Sequence, residues 1–369
     1  MQTPLPCVLR MQKGRETMYE LPDKLRSLIP YEPNTEPCAI RMDANESFFG
    51  STTQWNMQVL EAALSVELNR YPDPYAEGVR RAFAEYYGYD LRLLTAGNGS
   101  DELISVISAC FLEKGSRVLT FAPDFSMYAF YSSLYELQLT ELPKNDALQI
   151  DVDEALRTIQ ELSVSAVLFS NPCNPTGNGL TREEILRLVG GTDALVIVDE
   201  AYMDFWDQSV ADAVEEYDNL IVLRTCSKAL GMAALRLGFA IANPRITRAL
   251  TAAKSPYNVN AVTQAIAETL LSNYDDTLRE RNQAIVASRD ALHTELVKLA
   301  QRYPVIERVY DTKTNFVLLR LPKAKELAEK LRKRSIAVRA FEGFLRITAG
   351  TKEQNAAVVF ALGKLLDGE

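Results

Sequence analysis

The sequence predicts an α/β protein, in which a large domain with a mainly parallel seven-stranded sheet covered by helices is joined to a smaller α+β domain. Its 369 residues exceed an ordinary single core and suit one large and one smaller domain. Between about residues 91 and 243, short runs that are apolar on both faces alternate with helical patterns, which is typical of a parallel sheet covered on both sides. After Pro244 the pattern changes to a long helical region that precedes two further strands.

The predicted elements follow in chain order. Seven apolar runs are the strands of the large sheet, at 92–95, 117–121, 138–142, 166–170, 195–198, 220–223 and 238–242. Three predicted helices lie among them, at 101–112, 152–161 and 181–189. The later elements are a helical region at 260–301, a strand at 315–319, a helix at 324–334, a strand at 345–349 and a closing helix from Lys352. We expect an N-terminal arm over 1–45 that is part of the small domain, a large domain over 46–255 and a small C-terminal domain over 256–369.

Composition and charge argue against several classes of protein. The net charge of −9 disfavours nucleic acid or an anionic membrane surface as the main partner. The longest apolar runs, such as 194–198, are far shorter than the ~20 residues of a membrane span, and the N-terminus does not resemble a secretory signal. Five scattered cysteines suit a reducing cytoplasm, and a single histidine, His293, argues against a serine-hydrolase triad or a histidine-rich metal site. We expect a cytoplasmic protein without a metal centre.

Two turns that follow predicted strands are suited to binding a ligand. Residues 97–102 (GNGSDE) precede a helix, where glycines allow close backbone approach and free amides attract phosphate. The alternative is that Ser100 or Asp101 only caps the helix. Residues 171–177 (NPCNPTG) form a tight turn from which asparagine amides can project, with a purely structural turn as the alternative.

The strand at 195–198 ends in a carboxylate. Asp199 follows it directly, and a buried carboxylate is costly unless it meets a cation. A pyridinium nitrogen is such a cation, and Tyr202, three residues on, is placed to donate to a ring oxygen beside it. The alternative is a helix cap or a local ion pair.

The strand at 220–223 leads to a lysine among hydroxyls and small residues. Lys228 lies in the segment TCSKALG, where desolvation lowers the pKa of an amine and makes it nucleophilic toward aldehydes. Thr225, Ser227 and Arg236 can donate to a dianionic phosphate, the arginine in bidentate fashion.

These four segments, in this order, resemble the fold-type I aminotransferases that depend on pyridoxal 5'-phosphate (PLP). In detail they resemble the histidinol-phosphate aminotransferase family, with support from DANE at 43–46, RYPDP at 70–74, PYNVN at 256–260 and LRITAGT at 345–351. The resemblance covers the chain from about Leu21. It implies a homodimer with shared active sites that converts L-histidinol phosphate and 2-oxoglutarate into imidazole-acetol phosphate and L-glutamate through a ping-pong route.

The resemblance also implies a role for each matching residue. Lys228 would hold PLP through its amine and move the proton between the substrate Cα and the cofactor C4', and Asp199 would keep the pyridine nitrogen protonated. The other implied cofactor contacts are Tyr202 and Asn174 at the phenolic oxygen, Phe125 on the ring, Ser100, Asp101, Thr225, Ser227 and Arg236 around the phosphate, and Tyr71 from a second subunit. The implied substrate contacts are Arg346 at the α-carboxylate, Tyr31, Tyr257 and Arg339 near the substrate phosphate, and Asn45.

Three departures from the family pattern leave the PLP chemistry intact but weaken the assignment of the substrate pocket. Residues 45–50 read NESFFG where the family often has NENPYG, Phe125 stands where many members carry tyrosine, and the segment after Tyr31 lacks the Gly-Lys often found there. Three alternatives therefore stay open: an aromatic or broad-specificity aminotransferase, an enzyme similar to threonine-phosphate decarboxylase, and a PLP-fold binding protein without turnover.

Overall fold

The computed structural model describes residues 20–26, 28, 36–50, 52–273 and 277–368. The chain divides into two units, residues 1–34 and residues 35–369. In the first unit, helix α1 (Asp23–Arg26) contains an arginine that is paired with Glu20 at 3.2 Å. Tyr31, one of the predicted substrate contacts, lies outside the described residues. All other elements belong to the second unit.

The described residues form two sheets. Their strands are β1 (Ile40–Met42), β2 (Leu94–Gly97), β3 (Arg117–Ala122), β4 (Gln138–Pro143), β5 (Ala166–Ser170), β6 (Leu195–Asp199), β7 (Leu220–Thr225), β8 (Gly238–Ala242), β9 (Arg308–Val309), β10 (Phe316–Arg320), β11 (Ile336–Phe341) and β12 (Phe344–Thr348). The remaining helices are α2 (Thr53–Leu64), α3 (Glu77–Tyr87), α4 (Ser100–Cys110), α5 (Met127–Leu134), α6 (Val152–Leu162), α7 (Arg182–Gly190), α8 (Pro244–Ala253), α9 (Ala261–Ser272), α10 (Thr277–Arg302), α11 (Ala324–Lys333) and α12 (Lys352–Leu366).

The larger sheet has seven strands in the order β2-β8-β7-β6-β5-β3-β4. Strands β3 to β7 are mutually parallel, and β8 runs antiparallel to both of its neighbours, β7 and β2. Every residue of β5, β7 and β8 is buried, because helices cover both faces of the sheet. The prediction of a mainly parallel seven-stranded sheet is confirmed.

The smaller sheet has the order β1-β11-β12-β10-β9. Its core is separate from that of the larger sheet and includes Leu292 and Leu296 of α10, Leu331 of α11 and Leu362 of α12. Helix α9 packs instead on α2 and α3, beside the larger sheet, so the helical region predicted at 260–301 contains two helices that serve different cores. The domain bounds predicted at 45/46 and 255/256 stay predictions.

Local chemistry explains where helices begin. Thr181 caps α7 and forms a reciprocal capping box with Glu184, and Thr351 does the same for α12 with Gln354. None of the helices in the described part of the chain is both long and apolar enough to cross a membrane.

Candidate active site

Several of the predicted site residues lie at or just after the carboxyl ends of β5, β6 and β7. Ser170 at the end of β5 pairs in register with Asp199 at the end of β6, and Asp199 pairs with Leu223 of β7. The turn with Asn174 and the segment with Lys228 therefore leave the sheet at the same edge. Ligands bind at this edge in open parallel sheets.

Asp199 is a buried carboxylate without a cationic partner in the described structure. It is 4% exposed, and its two hydrogen-bond donors are neutral: the Tyr128 hydroxyl at 3.1 Å and the Ala201 amide at 3.1 Å. Burial raises the pKa of Asp199 to about 7, although both donors act in the opposite direction. Such a carboxyl is ready to ionise when a cation arrives.

Tyr128 is a site residue that sequence reasoning missed. Its side chain is buried, and the ring meets Phe125 edge-on with centroids 5.6 Å apart. The signal was its place, since Tyr128 lies in the first turn of α5, three residues after Phe125. The sequence does not show that its hydroxyl points at the end of β6.

Lys228, Tyr202 and Asn45 form one group. The Lys228 amine donates to the Ala44 carbonyl at 3.0 Å and lies 5.7 Å from the centre of the Tyr202 ring. The Tyr202 hydroxyl accepts from the side-chain amide of Asn45 at 2.8 Å. Asn45 is itself fixed by Thr348 of β12, which receives its backbone amide at 3.1 Å and donates to its side-chain oxygen at 3.0 Å. The smaller sheet thus positions a tyrosine that stands beside the lysine.

The loop before α4 is shaped to admit an anion. Gly99 has a φ of 88°, and a Cβ at Gly238 would lie 2.5 Å from the Ser100 amide nitrogen, so only glycine fits at these two positions. The Arg236 guanidinium reaches this loop and lies 3.8 Å from the Asp101 carboxylate.

The donors around this loop are the ones a phosphate requires. The hydroxyls of Thr225 and Ser227 are 3.1 Å apart, and Arg236 donates to Ser227 at 3.4 Å. Burial raises the pKa of Asp101, and its Oδ1 is buried without a hydrogen-bond partner among the described residues.

Arg346 and Asn174 join the two sheets across the site. Arg346, on β12, donates to the Asn174 side-chain oxygen and, at 2.6 Å, to the Asp43 carbonyl. Arg339 of β11 stands directly opposite Arg346 in the antiparallel register. Directly opposite residues share a face of the sheet, so the two arginines belong to the same face.

Two predicted residues lie apart from this cluster. Tyr71 and Tyr257 stack on each other with ring centroids 4.7 Å apart, and they are 82% and 41% exposed. No described contact brings either ring to the group around Lys228.

The chain belongs to the aminotransferase class I and II family, whose pattern matches residues 39–362. The predicted class, an aminotransferase of fold type I, is confirmed. Among similar proteins, "Histidinol-phosphate aminotransferase" of Clostridium novyi is 38% identical over 340 residues, which are 91% of this chain and 94% of that protein.

Solved structures share the fold. Histidinol-phosphate aminotransferase from Sinorhizobium meliloti, in complex with pyridoxal-5'-phosphate, has a TM-score of 0.84 and 21% identity and covers 96% of this chain and 99% of that one. L-threonine-O-3-phosphate decarboxylase from Porphyromonas gingivalis has a TM-score of 0.75 and 24% identity, with 89% and 99% covered. The fold therefore does not separate the two reactions.

Proposed function

We propose that this chain transfers the amino group of L-histidinol phosphate to 2-oxoglutarate, with PLP as its cofactor. The observation that carries the proposal is the pair of arginines, Arg339 and Arg346, which stand directly opposite each other on one face of the smaller sheet, with Arg346 bonded to Asn174 of the candidate site. The relatives named for this activity, at 33–38% identity over most of the chain, support it.

The residues at the strand ends fit PLP. Asp199 is a buried carboxyl with no cationic partner among the described residues, so a pyridinium nitrogen could serve as that partner. The glycine cradle with Thr225, Ser227 and Arg236 suits a dianionic phosphate. PLP, when bound, supplies an aldehyde that takes up the amino group and a protonated ring that accepts electrons from the substrate Cα.

The chain's own residues supply attachment, proton transfer and orientation. The Lys228 amine donates to the Ala44 carbonyl, and no carboxylate in the described structure forms an ion pair with it. The amine can therefore accept a proton from the substrate Cα and return it. Asn45 holds the Tyr202 hydroxyl, and Arg346 holds the Asn174 side chain, so both polar groups are oriented before a ligand arrives.

The two arginines match the anions of both substrates. In L-histidinol phosphate a phosphate ester on a methylene replaces the α-carboxylate, whereas 2-oxoglutarate carries carboxylates. A single site that accepts both substrates needs cations that can bind a carboxylate in one half-reaction and the larger phosphate dianion in the other. Two arginines on one face of the sheet can do so because each guanidinium offers a planar fork of donors.

A comparison of amino donors tests the substrate assignment. We expect kcat/KM for L-histidinol phosphate to exceed that for L-histidinol by about two orders of magnitude or more, since charge-assisted hydrogen bonds contribute roughly 1.5–3 kcal/mol each. Arg339→Ala should remove most of that difference. Arg320→Ala, which removes an exposed arginine of the same sheet, is the matched control and should leave the ratio unchanged.

Other outcomes point to the alternatives. Equal use of the two donors, or faster turnover of phenylalanine, would place the chain among aromatic or broad-specificity aminotransferases. Release of carbon dioxide from phosphothreonine would indicate the decarboxylase reaction. Binding of PLP without any turnover would indicate a binding protein.

A homodimer is the assembly that the surface supports. Met57, Leu60 and Leu64 of α2 are 52%, 51% and 77% exposed, and Leu68 and Tyr71 continue the same stretch at 86% and 82%. Proteins rarely leave such an apolar surface open to water. A second copy that covers it would bring Tyr71 to the neighbouring active site, as the family resemblance implies.

Sedimentation over a dilution series tests this assembly. We expect a dimer for the wild type and a Kd at least about tenfold higher for Leu64→Asp, because a charge buried in the interface is unpaired. Phe360→Asp, which alters another exposed apolar side chain, on α12, is the control and should sediment as the wild type does. A fully active monomer would contradict the shared site.

The thiols are consistent with a cytoplasmic location, which we include in the proposal. Four cysteines in the described residues are free: Cys38, Cys110, Cys173 and Cys226. Free thiols persist in reducing compartments.

A further inference from the structure

A buried ion pair lies beneath the two loops that carry Phe125 and Asn174. The side chains of Lys144 and Asp124 are 1% and 2% exposed, and Lys144 Nζ lies 3.4 Å from Asp124 Oδ2. Lys144 follows β4, and its amide extends the ladder with β3 by donating to the Ala122 carbonyl at 2.9 Å. Its amine also donates to the Pro123 carbonyl at 2.8 Å and to Cys173 Sγ at 3.0 Å.

Asp124 connects this lysine to both loops. Its Oδ1 accepts from the Phe125 amide at 2.8 Å and from the Ser170 hydroxyl. The Ser170 hydroxyl in turn accepts from the Asn174 amide at 3.1 Å. A continuous chain of hydrogen bonds thus runs from the Lys144 amine to the backbone of Asn174, with a branch to the backbone of Phe125.

The charges in this cluster are one cation and one anion. Burial acts to lower the pKa of Lys144, but Asp124 and Cys173 raise it overall, so the amine stays protonated. Burial raises the pKa of Cys173 and keeps its thiol neutral. The positive charge of Lys144 is therefore neutralised by the negative charge of Asp124.

Stability alone is a weak reason for such a pair. Removing two charges from water costs several kcal/mol per ion, and well-packed apolar residues of similar volume often stabilise a protein as much. The pair has a specific geometric effect, because it fixes the loop with Phe125 relative to the loop with Asn174. Asn174 in turn holds Arg346, so the same chain of contacts reaches the substrate side of the site.

We propose that Lys144 and Asp124 are positioning residues that set Phe125 against the cofactor ring and Asn174 at its phenolic oxygen. The inference rests on the proposed function in that PLP is the ligand. It adds two residues that do not touch the ligand and that act through the backbone of the two residues that do.

Lys144→Met tests the pair with readouts that need no amino donor. We expect the Kd for PLP to rise about tenfold. Without the ion pair, Asn174 is no longer held in place and its hydrogen bond to the phenolic oxygen of PLP is lost, and one such bond changes an affinity by about tenfold. The visible absorption band of bound PLP should change its titration midpoint, because the phenolic oxygen loses a donor. Lys144→Arg keeps the charge and should recover part of the affinity.

The control separates positioning from general destabilisation. Leu362→Ala opens a cavity in the core of the smaller sheet and should lower the urea midpoint of unfolding without changing PLP affinity or the absorption band. If Lys144→Met leaves an unpaired carboxylate that prevents folding, the double variant Lys144→Met with Asp124→Asn removes both charges. It should fold and show the same weakened PLP binding.

The outcomes are distinct. Wild-type affinity and an unchanged band in the folded variants would overturn the positioning role, and so would equal changes in Leu362→Ala. A wild-type protein that binds no PLP would overturn the proposed function itself. A wild type that binds PLP but ignores histidinol phosphate would overturn only the substrate, and the positioning result would stand.

Discussion

Lys228→Ala is expected to abolish amino transfer and leave a folded protein. One amine both attaches the cofactor and moves the proton, and positioned proton transfer alone contributes about 10²–10⁴-fold, so kcat should fall by at least about 10⁴-fold. The fold should persist because the amine's described hydrogen bond is a single one, to the Ala44 carbonyl. Activity assays and circular dichroism of the purified variant measure the two effects.

Chemical trapping identifies the lysine directly. Borohydride reduction of the wild type with PLP, followed by peptide mapping, should place the pyridoxyl group on Lys228. Lys114→Ala, which removes an exposed lysine paired with Glu136, is the control and should keep wild-type activity. Labelling of a different lysine would show that Lys228 is assigned wrongly.

Asp199→Asn is expected to lower turnover by about 10²–10³-fold. An amide cannot hold a proton on the pyridine nitrogen, and breaking a buried charge pair costs about 3–5 kcal/mol. PLP should still attach to Lys228, since the aldehyde chemistry does not require Asp199. The measurement is the rate at which an amino donor bleaches the visible band, and a near wild-type rate would mean that Asp199 is structural.

The same substitution should stabilise the cofactor-free protein, and more so as the pH rises. The pKa of Asp199 is about 7 in the folded state, against ~3.9 in an unfolded chain, so the folded state binds more protons between these values. Stability is therefore lost as the pH rises from about 4 to 7, and the full cost, about 4 kcal/mol at most, is present above pH 7.

Denaturation of cofactor-free proteins by urea at pH 5 and pH 8 checks this linkage. The stability advantage of Asp199→Asn over the wild type should be larger at pH 8 by about 2–3 kcal/mol. Asp193→Asn, a change at an exposed aspartate, should show no such dependence. An advantage independent of pH would mean that Asp199 does not ionise across this range in the folded protein.

Strands that are buried on both faces could be predicted closely from the sequence. The predicted bounds of β5 and β8 match the structure because their apolar runs are continuous and end at turn residues. Strand β2 begins two residues later than predicted, because Asp90 caps a short 3-10 helix over Leu91–Leu93 that uses part of the apolar run. Strand β11 was missed, since it is half-buried and has Arg339 in its middle.

Site residues could be predicted where a reactive side chain comes at or soon after the end of a buried strand. Asp199 and Lys228 lie at ends of neighbouring strands, and the parallel order brings such ends together without further information. Tyr128 and Lys144 were not predictable in this way. The first lies in an apolar helix and the second resembles a surface lysine after a strand, and only tertiary packing turns them toward Asp199 and Asp124.

The two half-reactions, followed on the purified wild type with PLP, test the central claim most directly. Addition of L-histidinol phosphate in slight excess over sites should bleach the visible PLP band and release one imidazole-acetol phosphate per site. Addition of 2-oxoglutarate should then restore the band and yield one glutamate per site. A band that L-histidinol phosphate leaves unchanged while another amine bleaches it would contradict the proposed substrate, and a band that no amino donor changes would contradict amino transfer altogether.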